Sequence, residues 1–314
     1  MDRGAGVLEA IYELVPEWGA VIAAAVTQLG DGWFLLVLGI SASWTVAWRR
    51  TARRDRRLER DRCARQPDGP WFVAVIVGGL AVMTALKHLF ALPRPDLVTS
   101  DPAFLPSSVQ SLYLSIASAG GYGFPSGHAV GATVTYGLFA LALEARTRRL
   151  RLAVAGAIVV AISLTRLVLG VHYPLDVVAG TVVGSSYLAV TWWLLERSPF
   201  DRTATAFTLA LGLAGVAMIA SGRADSAVAY VALAASGLAG WIAANVSPTS
   251  VSTPAEQYQR GLLLAASVSL IAVGGFGVLG GRPRLVASAM LLGFLSVFPA
   301  AVFPRLTTNE MTTP

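Results

Sequence analysis

Long apolar runs are the feature that most limits how this chain can fold. Several of them reach the length of about 20 residues that a helix needs to cross a bilayer. Of the 314 residues, 55% are hydrophobic and only 13% are charged, which is outside the range of soluble globular domains. Backbone groups in hydrocarbon are satisfied only in helices or closed barrels, and runs of this length favour helices. The sequence therefore predicts an all-α, polytopic membrane helix bundle.

The predicted bundle has about nine spanning helices and an additional N-terminal helix. Residues 7–29 have apolar side chains at helical spacing, but Glu9, Glu13, Pro16 and Glu17 interrupt them. This pattern favours a helix on the membrane surface over a spanning helix or a signal peptide. The predicted spans are 32–48, 71–92, 127–143, 152–170, 174–195, 203–220, 226–245, 261–280 and 285–303.

Arginine is concentrated at one end of the predicted spans. A net charge of +6 is compatible with a nucleic-acid partner, but almost all arginines flank apolar runs, so we predict none. The positive-inside rule makes these flanking segments cytoplasmic in a plasma membrane protein. The opposite segments, 93–125 and 171–173, contain a single arginine, Arg94, and are predicted to face outward. The cytoplasmic groups are nine arginines in 49–65, four in 146–151, and Arg197 with Arg202.

Lys87 is the one lysine of the chain and lies near the outward end of the second predicted span. A charged residue within a span is costly unless it has a partner or a task. Arg94 follows after seven residues, which predicts both cations on one helix face, two turns apart. The alternative is that Lys87 only extends its ammonium group to the membrane interface.

The segment Phe124–His128 reads FPSGH and opens the third predicted span. Proline is favoured at a helix start, and the backbone N–H groups of Ser126 and Gly127 are predicted to be free to bind an anion. The alternative is an ordinary helix start with an incidental histidine.

Arg166, His172 and Asp176 surround the connection between the fourth and fifth predicted spans. His172 and Asp176 are about one helical turn apart, so the carboxylate can accept from one imidazole nitrogen and leave the other as a nucleophile. A buried ion pair between Arg166 and Asp176 is the structural alternative.

Alternating helix direction brings these three clusters to the same outward level. Lys87, Arg94 and Arg166, with helix-terminal N–H groups, suit a dianionic phosphoryl group, and two histidines supply a nucleophile and an acid. The acids Asp96, Asp101 and Asp176 do not have the spacing of a metal site, so we predict no metal and no other cofactor.

Three motifs resemble those of the type 2 phosphatidic acid phosphatase superfamily, whose members include lipid phosphate phosphatases. They are KxxxxxxRP at Lys87–Pro95, PSGH at Pro125–His128 and TRxxxxxHxxxD at Thr165–Asp176. Thr165 replaces the usual serine and keeps its hydroxyl. The resemblance covers about residues 20–197.

The resemblance implies a role for each motif residue. His172 attacks phosphorus to form a phosphohistidine, Asp176 holds its ring, and His128 protonates the leaving group. The implied phosphate-binding residues are Lys87, Arg94, Ser126, Gly127 and Arg166. His88 points about a hundred degrees away from Lys87 and is predicted to be a packing or interfacial residue.

We therefore predict a phosphatase core in residues 1–200 and a four-helix membrane extension of unknown role in 201–314. The predicted function is metal-independent hydrolysis of a membrane lipid phosphate or prenyl diphosphate at the outer face. A phosphoryl or head-group transferase with the same residues is the nearest alternative. A transporter or membrane scaffold is the alternative of another class. The sequence does not specify the lipid or the oligomeric state.

Overall fold

The computed structural model describes residues 3–54, 69–96, 105–245 and 283–306, and every regular element in these ranges is helical. The predicted all-α class is confirmed. Several predictions lie outside the described residues. They concern the arginines of 55–65, Asp101 and the span 261–280.

Eleven α-helices are described, and the chain divides into two compact units. The first unit is drawn from residues 1–35 and 82–190, and the second from 36–81 and 191–314. In chain order the helices are α1 (Ala5–Leu14), α2 (Glu17–Thr27), α3 (Gly32–Arg54), α4 (Trp71–Phe90), α5 (Ser107–Ala117), α6 (Gly127–Ala142), α7 (Arg148–Val168), α8 (Pro174–Arg197), α9 (Arg202–Ala220), α10 (Asp225–Asn245) and α11 (Pro283–Leu306). The proposed division of roles at residue 200 stays a prediction.

Fewer helices meet the length and hydropathy of a membrane span than the nine predicted. Among the described residues, five qualify: α4, α7, α8, α9 and α10 up to Ala243. Helix α6 has only 16 residues, fewer than the roughly 20 that a perpendicular span needs. The apolar part of α3 ends at Trp48, before Arg49. The nine-span count is therefore not confirmed, whereas the apolar helices indicate a membrane protein.

The N-terminal segment forms two helices where one was predicted. The chain bends by 114° between α1 and the helical segment Glu17–Gly30, which includes α2. Pro16 immediately precedes α2 and has no N–H to continue the hydrogen bonding of α1, which accounts for the break. If the pair enters the membrane, it does so as a broken span or a re-entrant loop, and the predicted interfacial position stays a prediction.

Small residues let the helices of the first unit approach closely. Ala20, Ala23 and Ala24 of α2 pack against Tyr113 and Ala117 of α5. Gly180 and Gly184 of α8 face α6. A Cβ added to Gly180 would lie 2.7 Å from the carbonyl oxygen of Ser126, and one on Gly184 would lie 2.9 Å from Cβ of Thr133. This close approach brings the start of α6 against the start of α8.

In the second unit, α10 packs against both α9 and α11. Gly237 of α10 lies against the ring of Phe207 from α9, and Gly293 of α11 lies against the backbone of Leu233 from α10. Glycines at helix contacts are typical of membrane helix packing. None of the predicted site residues lies in this unit.

Candidate active site

All the predicted site residues lie in the first unit, beginning with the two cations of the first motif. The Lys87 ammonium, near the end of α4, donates a hydrogen bond to the carbonyl of Tyr122 at 2.8 Å. Arg94 Nε donates to the carbonyl of Gly120 at 3.1 Å. The segment that precedes the second motif is therefore bound by both cations of the first.

Arg94 is not on the helix that carries Lys87, contrary to the prediction. Helix α4 ends at Phe90, and Ala91 takes a left-handed conformation with φ 49°. Pro93 and Pro95 flank Arg94 and prevent a helical continuation, because proline lacks an N–H and restricts the preceding residue. Lys87 reaches this segment from the end of α4, and Arg94 reaches it from the irregular chain that follows the helix.

Ser126 is the N-cap of α6 and joins the second motif to the third. Its backbone N–H donates to the carbonyl of Asp176 at 2.9 Å. The prediction that this N–H is free to bind an anion is therefore wrong. The hydroxyl of Ser126, in contrast, is buried and has no hydrogen-bond partner within the described part of the chain. Such a buried, unpaired hydroxyl is uncommon and suits a ligand oxygen. The predicted free donor at this residue is therefore better assigned to the side chain.

Gly127 and His128 occupy the first turn of α6. A Cβ on Gly127 would lie 3.3 Å from Sδ of Met83 and 3.6 Å from Cε of Lys87, so the helix start is close to the first motif. The ring of His128 lies against Gly30, where an added Cβ would be 3.1 Å from Cδ2. The cations that act electrostatically on His128 are Arg166, Lys87 and Arg94.

A left-handed glycine turns the chain between Arg166 and His172. Gly170 has φ 65°, the N–H of Val171 donates to the Arg166 carbonyl at 3.2 Å, and the N–H of Gly170 donates to the Leu167 carbonyl at 2.9 Å. This pair of bonds is a Schellman motif, which glycine favours because it has no Cβ. The turn ends α7 and delivers His172 immediately before α8.

Arg166 is almost completely buried, at 2% exposure. Its Nη1 donates to Thr27 Oγ1 at 2.9 Å, while its Nε has no hydrogen-bond partner among the described residues. The described contacts do not include the alternative ion pair between Arg166 and Asp176. A buried guanidinium with a donor to spare is a suitable anion ligand.

His172 and Asp176 form the pair that the spacing predicted. Their exposures are 1% and 0%, and His172 Nδ1 lies 3.4 Å from Asp176 Oδ2. The N–H of Tyr173 donates to the same oxygen at 3.1 Å. A separation of 3.4 Å is long for a hydrogen bond, and catalytic contacts often tighten only when substrate binds.

Arg94 identifies which nitrogen of His172 is free of a proton. Arg94 Nη1 lies 3.0 Å from His172 Nε2 and 2.9 Å from the carbonyl of Val171. A guanidinium only donates, so the contact with Arg94 is satisfied by the tautomer in which Nε2 accepts and carries the lone pair. The ring proton then sits on Nδ1, facing Asp176. In this tautomer the nucleophilic nitrogen points towards a cation that also attracts phosphate oxygens.

The pKa of His172 lies well below its usual range. Burial of the ring is the largest cause, followed by the positive charges of Arg94, Arg166 and Lys87, while a backbone hydrogen bond with Gly123 opposes the shift. Burial also lowers the pKa of Arg94, and the charge of Asp176 opposes that effect. The imidazole of His172 is therefore neutral near pH 7, as a nucleophile must be.

Sequence reasoning missed three contributors to this site. Arg3 donates from Nη1 to Asp176 Oδ1 at 2.9 Å, and Thr27 receives the hydrogen bond from Arg166. No local pattern marks either residue, because each acts across more than a hundred positions of sequence. Gly180 is the third, and its GxxxG spacing with Gly184 is a signal that could have been recognised.

Exchanging Gly180 for alanine is expected to lower the free energy of unfolding by about 1–3 kcal/mol, because the new Cβ collides with the Ser126 backbone. The matched control is Gly156→Ala in α7, where nothing lies within 4 Å of an added Cβ. It should be neutral or stabilising by up to about 1 kcal/mol. Unfolding in detergent micelles measures both. Equal changes in the two variants would contradict this account of Gly180.

His88 does not contribute to the site, and the described residues give no sign of a metal site. His88 Nδ1 lies 2.9 Å from the carbonyl of Thr84, and its ring packs edge-on against Tyr122 with centroids 5.4 Å apart. Across the described residues, no three His, Cys, Asp or Glu side chains are grouped as they would be around a metal ion.

A comparison with known families matches residues 69–200, which include all three motifs, to the PAP2 superfamily. No curated protein and no solved structure matches the chain significantly. The family match agrees with the superfamily that the motifs resemble. It supports phosphatase-type chemistry in general. Residues 69–200 are therefore similar to the PAP2 superfamily.

Proposed function

We propose that this protein is a membrane phosphatase that hydrolyses a lipid phosphate or prenyl diphosphate through a phosphohistidine on His172. The observation that carries the proposal is the contact of 3.0 Å between Arg94 Nη1 and His172 Nε2. It puts an imidazole lone pair beside a guanidinium, and the same neighbourhood contains Lys87 and Arg166. A nucleophile among cations suits a substrate whose reacting atom bears anionic oxygens.

In the first step, His172 Nε2 attacks phosphorus and the bond from phosphorus to the leaving oxygen breaks. Asp176 stabilises the positive charge that develops on the ring, since it accepts from Nδ1. His128, whose protonated form is stabilised by the bound anionic substrate, gives its proton to the departing oxygen. Arg94, Lys87 and Arg166, together with the Ser126 hydroxyl and the first turn of α6 at Gly127, bind the three equatorial oxygens.

In the second step, water attacks the phosphohistidine. His128, which has lost its proton, accepts one from that water, and the bond between Nε2 and phosphorus breaks to release inorganic phosphate. Both histidines return to their starting states, so the cycle consumes one water and needs no redox partner. The same residues allow a hydroxyl of a lipid or sugar to replace water, which is the transferase alternative.

The charge distribution along α7 supports an active site at the outer membrane face. Arg148 begins this helix and Arg166 lies 18 residues later, a distance of about 27 Å along the axis. That distance is close to the thickness of a hydrocarbon core. Arg146, Arg149 and Arg151 lie near Arg148 in sequence, so the positive-inside rule favours a cytoplasmic position for that end and an outer position for the site.

Purified protein in detergent or nanodiscs tests the proposal directly. It would be incubated with phosphatidic acid, phosphatidylglycerol phosphate and a polyprenyl diphosphate, each with EDTA present, and free phosphate would be followed. We expect release from at least one lipid without added metal. Release that requires a metal would contradict the mechanism. Products formed only when an acceptor alcohol is present would favour the transferase, and no turnover of any lipid would favour a transporter or scaffold.

The pH dependence of kcat/KM should have an acid limb below about pH 6.5, because the lowered pKa keeps His172 neutral to more acidic pH. Loss of the positive charge in Arg94→Met should raise that pKa and move the limb to higher pH. The control is Arg149→Ala, an exposed arginine of α7.

The phosphate of the substrate also titrates near pH 6, so two substrates with different phosphate pKa values are needed. The limb that they share belongs to the enzyme. A shared limb above pH 7 in the unmodified protein would contradict a neutral His172.

A further inference from the structure

Arg3 lies outside the segment that matches the PAP2 superfamily and nevertheless contacts the carboxylate of Asp176. Its Nη1 donates to Asp176 Oδ1 at 2.9 Å, and the two side chains are 9% and 0% exposed. Tyr173 N–H and His172 Nδ1 lie at the other carboxylate oxygen, Oδ2. The two oxygens therefore have different partners, and Arg3 occupies the one that does not face His172.

Further contacts hold Arg3 in this position. Nη2 donates to the carbonyl of Pro93, next to Arg94, and the guanidinium carbon lies 4.2 Å from the centre of the Tyr173 ring. The backbone N–H of Leu175 donates to the Arg3 carbonyl at 3.3 Å. Gly4, with φ 91°, lies so close to Pro174 that an added Cβ would be 3.1 Å from Cγ of the proline. Arg3 thus joins the first motif to the third.

We propose that Arg3 is a positioning residue that keeps the Asp176 carboxylate ionised and directed at His172 Nδ1. The inference rests on the proposed function for its effect on turnover, but its effect on the ring of His172 is independent of any reaction. The charged groups that face Asp176 are Arg3, Arg94 and Lys87, with His172 as the ring that it orients.

Arg3 is the guanidinium that donates to the Asp176 carboxylate, whereas Arg94 has other partners. Arg94 already contacts His172 Nε2 and the Val171 carbonyl, so it is not available to bind the carboxylate in the same way. A buried carboxylate that loses its guanidinium partner either takes up a proton or turns towards another donor. In both cases Oδ2 no longer accepts a hydrogen bond from Nδ1–H of His172. In part of the molecules the ring proton then lies on Nε2, which loses its lone pair.

Three substitutions distinguish positioning from simple packing. Arg3→Ala removes the charge and the volume, and Arg3→Met keeps volume over Tyr173 without the charge. Arg3→Lys keeps the charge, but a single ammonium does not reproduce the planar fork that reaches Asp176 and Pro93 together. Arg149→Ala is the matched control, because it removes an exposed arginine remote from Asp176 in sequence.

The first measurement is steady-state kinetics on the lipid phosphate that the unmodified protein turns over. In Arg3→Ala and Arg3→Met we expect kcat to fall about 100-fold with KM changed less than about threefold, since misorientation of a reacting group has an effect of this size. Arg3→Lys should recover part of the loss. Millimolar guanidinium should raise kcat of Arg3→Ala at least about tenfold and leave Arg3→Met unchanged, because the methionine fills the vacated space.

The second measurement does not depend on activity. The chain has three histidines, so a spectrum of protein labelled with 15N-histidine contains few ring signals. We expect His172 to be the Nδ1–H tautomer in the unmodified protein and a mixture of tautomers in Arg3→Met. This result stands even if no lipid phosphate is hydrolysed, so a failure of the proposed function is recognised separately.

Folded Arg3→Met with unmodified kcat and an unchanged His172 tautomer would overturn the proposal. An equal loss of kcat in Arg3→Met and Arg3→Lys, without a guanidinium response in Arg3→Ala, would overturn it in favour of a packing role. If Arg3→Ala does not fold, Arg3→Met and Arg3→Lys decide between the same results.

Discussion

His172→Ala is expected to abolish phosphate release, with a loss in kcat of at least about 10⁴-fold. Alanine removes the nitrogen that attacks phosphorus, and no other described imidazole has Asp176 on one ring nitrogen and Arg94 on the other. Phosphate should still bind, because its cationic ligands remain. Turnover would be measured as free phosphate. The intermediate would be trapped by allowing the protein to react with 32P-labelled substrate and then quenching the reaction. The unmodified protein should yield an acid-labile, base-stable phosphoryl label, and the variant none.

His88→Ala is the matched control for this prediction. It makes the same change at a histidine that contacts the Thr84 carbonyl and the Tyr122 ring. We expect its kcat to stay within about threefold of the unmodified protein, as for substitutions away from a reacting centre. A phosphoryl label on folded His172→Ala, or full turnover by it, would refute His172 as the nucleophile.

His128→Ala is expected to lower turnover of a lipid phosphate by about 10²- to 10⁴-fold, the usual effect of a general acid. The size of the loss should depend on the leaving group. An alkoxide departs poorly without a proton, whereas nitrophenolate is stable as an anion. With nitrophenyl phosphate the first step should therefore be much less impaired, and the second step, which needs His128 as a base, should become rate-limiting.

The measurement is a rapid-mixing experiment with nitrophenyl phosphate. His128→Ala should release about one equivalent of nitrophenolate per enzyme in a fast phase and accumulate phosphohistidine. His88→Ala again serves as the control and should show the steady rate of the unmodified protein. An equal loss of the first turnover with lipid and nitrophenyl substrates would contradict the role of His128 as the acid.

The cationic groups of the site are arranged at a cost to stability. Arg94, Arg166 and Lys87 act on His172 with the same sign of charge, and Arg166 and His172 are almost fully buried. Like charges in a poorly solvated place repel, and each loses solvation. A bound phosphate compensates both effects. Such local unfavourable arrangements are expected at functional sites and are balanced by packing elsewhere in the fold.

Local patterns in the sequence were sufficient to predict the all-helical class and the pairing of His172 with Asp176. Apolar length predicts a helix because the membrane leaves few alternatives for the backbone. The spacing of His172 and Asp176 predicts their pairing because both lie within one turn. The ends of helices near prolines were predicted less accurately. The end of α4 before Arg94 and the break at Pro16 follow from proline chemistry, although the hydrophobic pattern alone suggested continuous helices.

Tertiary structure decided which donors of the site are occupied and which are unpaired. The Ser126 N–H is bound by Asp176, 50 residues away, and Arg3 reaches Asp176 across 173 residues. Arg166 is held by Thr27, 139 residues before it. Hydropathy and motif spacing describe interactions within a turn or a helix, whereas these bonds form only where packing brings distant segments together. Long-range pairs of this kind leave no periodic trace in the sequence, because one arginine or threonine at one position is sufficient to make them.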